Sequence, residues 1–315
     1  MGFEKANWEC VYSVEWDKHK RRIYGIIFGE EPQGADISEV RADEFPHADC
    51  WTFGAPCQDF SIAGARKGLD GDRSSLIREV FRLVRETKEE YRPKWLLYEN
   101  VEGMLSSNKG FDYLQILIEM ESLGYNRIEY SLLNSKNFGV PQNRKRVFTL
   151  GHLRGGSSRK IFPIERNESK DIIKEINIPK EILNDNERQR RVYDIKGISP
   201  SILGRNDSPK IKINGIKKIG SVNNSQSGAI YDSSGLAVTV TGHGGGQGAK
   251  TGLYEIKSRI RRLTPKETWR LQGIDDTITD KVMAAGISDT QMYRGAGDAC
   301  TVNVIYEIAR RINRE

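Results

Sequence analysis

Residues 75–100, SLIREVFRLVRETKEEYRPKWLLYEN, decide the fold of this chain. Their first part, up to residue 91, carries apolar side chains at the spacing of one helical face, namely Leu76, Val80, Phe81 and Val84. Residues 94–98 then form a short apolar run typical of a buried strand, and residues 48–53 form another before the helix. Strand, helix and strand in this order predict an α/β fold with a mostly parallel sheet.

The same alternation continues on both sides of this stretch. Further strands are predicted at 8–14, 127–133 and 146–150, and further helices at 111–123 and 301–312. Another helix is expected after Thr264 and Pro265, since threonine suits an N-cap and proline suits the first turn. After about residue 154 the chain becomes rich in Gly, Ser, Asn and Lys. We therefore expect a large domain of residues 1–153 plus 288–315, and a small irregular β-rich domain of residues 154–287.

Composition narrows the class of protein. No apolar run reaches the roughly 18 residues that a transmembrane helix needs, and the N-terminus lacks a basic-then-apolar signal pattern. The four cysteines show no CxxC pairing and only four histidines occur, so neither a metal site nor a disulfide framework is expected. A cytoplasmic protein without a membrane partner is the expectation.

The positive charge is concentrated in one segment. Residues 154–262 contain 21 Lys and Arg against 11 Asp and Glu, whereas the whole chain contains 49 and 43. The remainder is therefore slightly acidic. A basic segment of this kind favours a polyanion such as nucleic acid as partner, although a solvated lysine-rich surface would look the same.

Chemically useful residues follow the predicted strands, where ligands bind in α/β sheets. Cys57 follows Pro56 on a turn after the 48–53 strand and could serve as a thiolate nucleophile, although a lone cysteine is more often a core residue. Glu99 follows the 94–98 strand and could donate a proton, or could instead cap a helix or form a salt bridge. Arg144 and Arg146 could bind phosphate or orient a carboxylate, or could lie in an exposed turn.

Taken together, these motifs resemble the cytosine-C5 DNA methyltransferase family in order and spacing over essentially the whole chain. Pro56-Cys57-Gln58, Glu99-Asn100-Val101, the Gln-x-Arg-x-Arg run at 142–146, residues 262–273 and Gly295–Ala299 carry the resemblance. It implies a class I S-adenosylmethionine-dependent, Rossmann-like fold with a target-recognition domain. It also implies Cys57 as nucleophile, Glu99 as proton donor to N3, and Arg144 and Arg146 as supports of a cytosine flipped out of the duplex.

The resemblance implies a cofactor site as well. Glu15 would accept the ribose hydroxyls, Trp16 would flank the adenine, and Asp36 with Ile37 would hold its edge. Five further residues complete the expected set, namely Asp298, Pro56, Leu76, Gly2 and Phe3. The last two are what remains here of a glycine-rich loop that precedes this point in the family, so we expect a cofactor loop shortened at the N-terminus. Asp298 stands where the family usually has Asn.

The recognition segment resembles that of family members that modify GCGC. Thr239 matches a backbone-phosphate contact and Gln226 a residue that fills the place of the flipped cytosine, while His243 and Lys250 are further expected DNA contacts. Ala229 replaces a guanine-reading arginine, so a short GC-containing palindrome is expected rather than GCGC itself. The expected protein is a monomer acting on double-stranded DNA, with a possible cognate restriction endonuclease. The alternatives are an inactive truncated DNA-binding remnant and a tRNA cytosine-C5 methyltransferase.

Overall fold

The computed structural model describes most of the chain, and the largest single gap is residues 55–74. The described residues are 1–54, 75–155, 159–164, 175–177, 191–194, 210–212, 216, 218–221, 229–232, 236–240, 253–256, 259–261 and 263–313.

The elements alternate as expected in the N-terminal half and become short strands in the middle. The helices are α1 (Lys18–Phe28), α2 (Ser75–Glu86), α3 (Phe111–Ser122), α4 (Pro265–Leu271), α5 (Asp276–Ala284), α6 (Asp289–Asp298) and α7 (Val302–Ile312). The strands are β1 (Cys50–Gly54), β2 (Trp95–Val101), β3 (Arg127–Asn134), β4 (Lys145–His152), β5 (Glu175–Asn177), β6 (Arg191–Asp194), β7 (Lys210–Lys212), β8 (Lys218–Ser221), β9 (Ala229–Asp232), β10 (Leu253–Ile256) and β11 (Arg259–Arg261). Short 3₁₀ turns occur at Glu4–Ala6, Ala42–Glu44, Glu89–Tyr91, Glu102–Gly110 and Ser135–Phe138.

The main sheet has the order β1-β2-β4-β3. The strands predicted at 48–53, 94–98, 127–133 and 146–150 are confirmed to within a few residues. The direction of the strands differs from the prediction, because only β1 and β2 are parallel, while β4 runs antiparallel to both β2 and β3. Only residues 135–144 join β3 to β4. A parallel connection needs a crossover of a dozen or more residues, so this short link requires an antiparallel pair, and the sheet is mixed.

Helices cover both faces of this sheet. On one face α2 and α3 bury a cluster that includes Phe81, Val84 and Tyr98. Phe81 and Val84 belong to the helical face that the sequence predicts, whereas Leu76 of that face is only half-buried and Ile77, outside the predicted set, is buried. On the other face α7 packs Val304 and Ile308 against the sheet. The helix predicted at 301–312 is thus confirmed, with Thr301 at its N-cap position.

The strand predicted at residues 8–14 is wrong. This segment pairs only through one isolated bridge between Val14 and Gly34. A strand needs a continuous ladder of backbone hydrogen bonds, which a single bridge does not supply. Its apolar side chains serve another purpose: the Trp8 indole packs edge-on against Phe3, 5.5 Å between ring centroids, and its Nε1 donates to the Ala309 carbonyl of α7.

The middle of the chain forms two small sheets. One has the order β11-β10-β9-β8 and the other β5-β6-β7, which agrees with the expected β-rich character. The Trp269 indole on α4 donates to the Met292 carbonyl of α6 at 2.8 Å, and both residues belong to a core cluster that includes Tyr231 of β9. The capping box of α4, with Thr264 accepting from Glu267 N–H, confirms the helix start predicted there. In the part of the chain that is described, no helix is long and apolar enough to cross a membrane.

Candidate active site

The paired strands bring two of the predicted catalytic residues together. In the β2–β4 ladder Val101 lies opposite Arg146 and Glu99 lies opposite Phe148, so Glu99 and Arg146 project from the same face of the sheet. The Arg146 Nε lies 3.1 Å from the Glu99 Oε1. Their side chains are 18% and 20% exposed, so both are sheltered but open to a ligand. The guanidinium thus fixes the orientation of the carboxylate.

The end of β1 lies beside this pair. Gly54, the last residue of β1, is in register with Glu99. A Cβ atom at Gly54 would lie 3.4 Å from the Glu99 Oε2, so the strand passes the carboxyl group closely. Cys57 and Pro56 follow within three residues along the chain and lie outside the described residues.

A second cysteine lies at this site, and the sequence analysis missed it. The Cys300 thiol is hydrogen-bonded to the Glu99 side chain, with Arg144 and Arg146 close by. Burial and the neighbouring Glu99 carboxylate raise the pKa of the Cys300 thiol well above its usual range. The thiol is therefore protonated at neutral pH and serves as a hydrogen-bond partner of Glu99 rather than as a nucleophile. Cys300 and Glu99 lie 201 positions apart in the chain, so no local sequence pattern predicts this contact.

Arg144 differs from Arg146 in its surroundings. It is 3% exposed and donates to three backbone carbonyls: Nη1 to Val240 at 3.2 Å, and Nη2 to Gly297 at 2.9 Å and Ala299 at 3.0 Å. Burial, together with the charge of Arg146, lowers the pKa of the Arg144 guanidinium to about 10, so it stays charged at neutral pH. Arg144 therefore links its own segment to Val240 and to the end of α6.

The predicted cofactor residues lie together at the N-terminal edge. The Glu15 N–H donates to the Gly34 carbonyl at 3.1 Å, next to the Val14–Gly34 bridge, which places Glu15 and Trp16 beside the segment that carries Asp36 and Ile37. The Trp16 side chain is 74% exposed, and Ile37 is half-buried. Hydrogen bonds from the Ser38 hydroxyl and N–H lower the pKa of Asp36. The edge therefore offers an open aromatic face flanked by carboxylate acceptors.

Two ion pairs hold α1 against α6 next to this edge. Asp17 caps α1 by accepting the N–H groups of His19 and Lys20, and its Oδ2 lies 2.9 Å from the Arg294 Nη1. Lys20 lies 2.9 Å from Asp298, so the carboxylate that replaces the usual Asn is neutralised by a partner on α1.

The other predicted site residues are more dispersed. Gly2 packs against α7, where a Cβ would lie 2.7 Å from Ile305, and Phe3 belongs to the cluster under that helix. Leu76 is half-buried in the first turn of α2. The Thr239 hydroxyl donates to the Asn143 carbonyl at 2.8 Å. Gln226, His243 and Lys250 lie outside the described residues. The roles of all these residues stay predictions.

Comparison with known proteins agrees with this geometry. The family model of the C-5 cytosine-specific DNA methylases matches residues 1–314. This chain belongs to that family. It is 32% identical over 315 residues to the type II methyltransferase M.HhaI of Haemophilus parahaemolyticus, covering 99% of this chain and 90% of the relative. It is 29% identical to M.DsaV of Dactylococcopsis salina, covering 98% and 81%.

Solved structures of methyltransferases share the fold. The S. pombe Dnmt2 methyltransferase superposes with a TM-score of 0.61 at 17% identity, covering 99% of this chain and 94% of that one. A DNA modification methyltransferase encoded within an E. coli prophage gives 0.61 at 16% identity, covering 99% and 94%. The α/β class is thereby confirmed as the class I methyltransferase fold.

As a C-5 cytosine-specific DNA methylase, the protein is a DNA (cytosine-5-)-methyltransferase that uses S-adenosylmethionine. The residues at the N-terminal edge fit this cofactor, because an indole exposed to 74% suits a purine face and carboxylates accept hydrogen bonds from ribose hydroxyls and an adenine amino group. Among the described residues no cluster of three or more His, Cys, Asp or Glu is placed to hold a metal ion.

Proposed function

We propose that this methyltransferase attacks cytosine C6 with the Cys57 sulfur while Glu99 donates a proton to N3 and Arg146 holds the Glu99 carboxyl group. The contact that carries this proposal is the 3.1 Å pair of Arg146 and Glu99 at the strand end next to Gly54, three residues before Cys57. The thiolate would form the sulfur–C6 bond, and the proton at N3 would neutralise the charge that the attack places on the ring. When bound, S-adenosylmethionine supplies the methyl group for C5. Loss of the C5 proton to a base and departure of the Cys57 sulfur from C6 would then restore the ring.

The proposed cofactor contacts follow from chemistry at the N-terminal edge. Glu15 would accept the ribose hydroxyls, Trp16 and Ile37 would enclose the adenine, and Asp36 would accept its amino group. The expected contributions of Pro56, Leu76, Gly2, Phe3 and Asp298 belong to the same proposal. The Lys20–Asp298 pair at 2.9 Å supports a role for Asp298 in orienting α6 at this edge.

The DNA would lie between the large domain and the basic middle segment. The excess of Lys and Arg in residues 154–262 supports contacts with phosphates. We propose residues 1–153 plus 288–315 as the catalytic domain and 154–287 as the recognition domain, with α4 packed onto α6 as the junction. Thr239, Gln226, His243 and Lys250 are the proposed DNA contacts, and the target is a short GC-containing palindrome.

The biological setting is inferred from the relatives. Several are named type II methyltransferases, which supports a role in a restriction-modification system with a cognate endonuclease. A monomer is proposed because one chain carries every catalytic group, and the cytoplasm is proposed as the place where DNA is modified.

Transfer of labelled methyl from S-adenosylmethionine to unmethylated duplex DNA tests the proposal. The wild-type chain should label the DNA, Cys57→Ala should not, and Cys10→Ala should behave as wild type because Cys10 is an exposed cysteine away from the paired strand ends. DNA containing 5-fluorocytosine should become covalently attached to the wild type and to Cys10→Ala only. Full labelling by Cys57→Ala would refute the assignment of Cys57 as nucleophile. Bisulfite sequencing that finds methylated cytosines with no GC-containing sequence in common would refute the proposed target.

A further inference from the structure

The segment that leads out of the basic middle region is fastened to the start of β4. We call residues 141–144 and 237–240 together the joint. Ala237 forms an isolated parallel bridge with Gln142, donates its N–H to the Pro141 carbonyl at 2.9 Å, and accepts from the Asn143 N–H at 3.2 Å. The Thr239 hydroxyl adds a bond to the Asn143 carbonyl. Backbone contacts of this kind set the position of one segment relative to the other.

Arg144 adds one bond within the joint and extends the joint to the end of α6. Its Nη1 binds the Val240 carbonyl of the recognition side, while its Nη2 binds the Gly297 and Ala299 carbonyls on either side of Asp298. One guanidinium thus connects the recognition segment with the end of α6. Because all three acceptors are backbone atoms, these hydrogen bonds depend on where the two segments lie and not on which side chains the segments carry.

The same residue lies two positions before Arg146. Arg146 and Glu99 form the catalytic ion pair across the β2–β4 ladder. Cys300, the residue after Ala299, is also hydrogen-bonded to Glu99. A displacement of Arg144 would therefore shift both partners of Glu99, one through β4 and one through the 297–300 segment.

We propose that Arg144 is a positioning residue that transmits the place of the recognition segment, residues 236–240, to the Glu99–Arg146 pair. This inference rests on the proposed function, in which Glu99 protonates the base. The rate of methyl transfer then depends on the position of the recognition segment. DNA that binds but leaves this segment displaced is methylated slowly. The guanidinium is required because its planar fork reaches carbonyls on two sides, whereas a lysine ammonium is a single point charge.

Arg144→Lys tests the inference, with Arg92→Lys as the matched control. Arg92 also donates to backbone carbonyls of two segments, Thr87 after α2 at 3.3 Å and Leu123 after α3 at 3.1 Å. At saturating DNA and cofactor, Arg144→Lys should lower kcat by about 10- to 100-fold, the effect of misplacing a catalytic group by about 1 Å. Its rate of covalent trapping on 5-fluorocytosine DNA should fall equally, while its affinity for S-adenosylmethionine stays within about twofold of the control.

Thr239→Val provides a second route that does not depend on Arg144→Lys folding well. It removes one bond of the joint and should lower kcat at saturating DNA, and the double variant should be no slower than Arg144→Lys alone, since the two residues act in one connection. Equal kcat values for Arg144→Lys and Arg92→Lys, or multiplicative effects in the double variant, would overturn the inference. A wild-type chain that methylates no DNA would instead refute the proposed function.

Discussion

Replacement of Asp17 should show that one carboxylate both begins α1 and ties it to α6. In Asp17→Ala the two cap bonds to the N–H groups of His19 and Lys20 are lost together with the 2.9 Å pair with Arg294. The cap contributes about 1 kcal/mol. The ion pair, with side chains 10% and 31% exposed, contributes up to about 1 kcal/mol. The free energy of unfolding should therefore fall by about 2 kcal/mol in Asp17→Ala and by at most about 1 kcal/mol in Asp17→Asn, which can still cap.

The difference between wild type and Asp17→Asn should depend on pH. Burial opposes ionisation of Asp17, but the N–H groups of Lys20 and His19 and the charge of Arg294 together lower its pKa below 3.8. For a carboxyl group whose folded pKa is depressed, the stabilisation is present above the unfolded pKa and is lost as pH falls through the folded pKa. The two proteins should thus differ at about pH 7 and converge as pH falls through the lowered pKa of Asp17.

Urea denaturation followed by tryptophan fluorescence measures these differences. Asp43→Asn is the control, because Asp43 also pairs with an arginine, Arg41, but both side chains are largely exposed, at 68% and 71%. That control should change the free energy of unfolding by less than about 0.5 kcal/mol. Equal losses in Asp17→Ala and Asp17→Asn would refute the cap, and a difference between wild type and Asp17→Asn that is unchanged at low pH would refute the ion pair.

Four further outcomes are expected. Glu99→Gln should lower kcat by about 10²- to 10⁴-fold with cofactor affinity retained, which single-turnover kinetics and calorimetry would separate. Trp16→Ala should weaken binding of S-adenosylmethionine about tenfold with a change in stability below about 0.5 kcal/mol, because the ring is exposed; an unchanged dissociation constant would contradict the proposed stacking. Asp298→Asn should leave cofactor affinity within about threefold, since Lys20 already neutralises the charge; a larger change in titration calorimetry would argue otherwise. Gln142→Leu should raise the free energy of unfolding by about 1 kcal/mol by removing a buried amide that has no hydrogen-bond partner among the described residues; a lower melting temperature for the variant would contradict this.

Local patterns made much of the large domain predictable. Neighbouring residues determine the buried faces of α2 and α7 and the apolar run of β2. The positions of these elements therefore follow from the spacing of apolar residues alone. The placement of Glu99 at a strand end followed in the same way. The order of the strands could not be predicted in this way, because it depends on which distant strand β4 pairs with. The short link of residues 135–144 is the local feature that indicates the antiparallel direction of β3 and β4.

The rest of the site depends on contacts between distant parts of the chain. The acceptors of Arg144 lie 96, 153 and 155 positions away, and no spacing rule connects such residues. Trp8 illustrates the opposite error: its apolar neighbours resembled a strand, but the indole is used to pack against α7. The sequence motifs predict which groups react, and the tertiary contacts show how Glu99, Arg144 and Arg146 are held.

The backbone character of the joint bears on how target specificity can be exchanged between enzymes. Because Pro141, Asn143 and Arg144 bind main-chain or hydroxyl atoms of residues 237–240, the connection does not read the bases that a grafted recognition segment would contact. A chimera with a foreign recognition segment should keep activity when its crossover points lie upstream of Ala237, and lose activity when they fall between Ala237 and Val240. The joint thus marks the boundary at which a specificity module can be replaced as a unit.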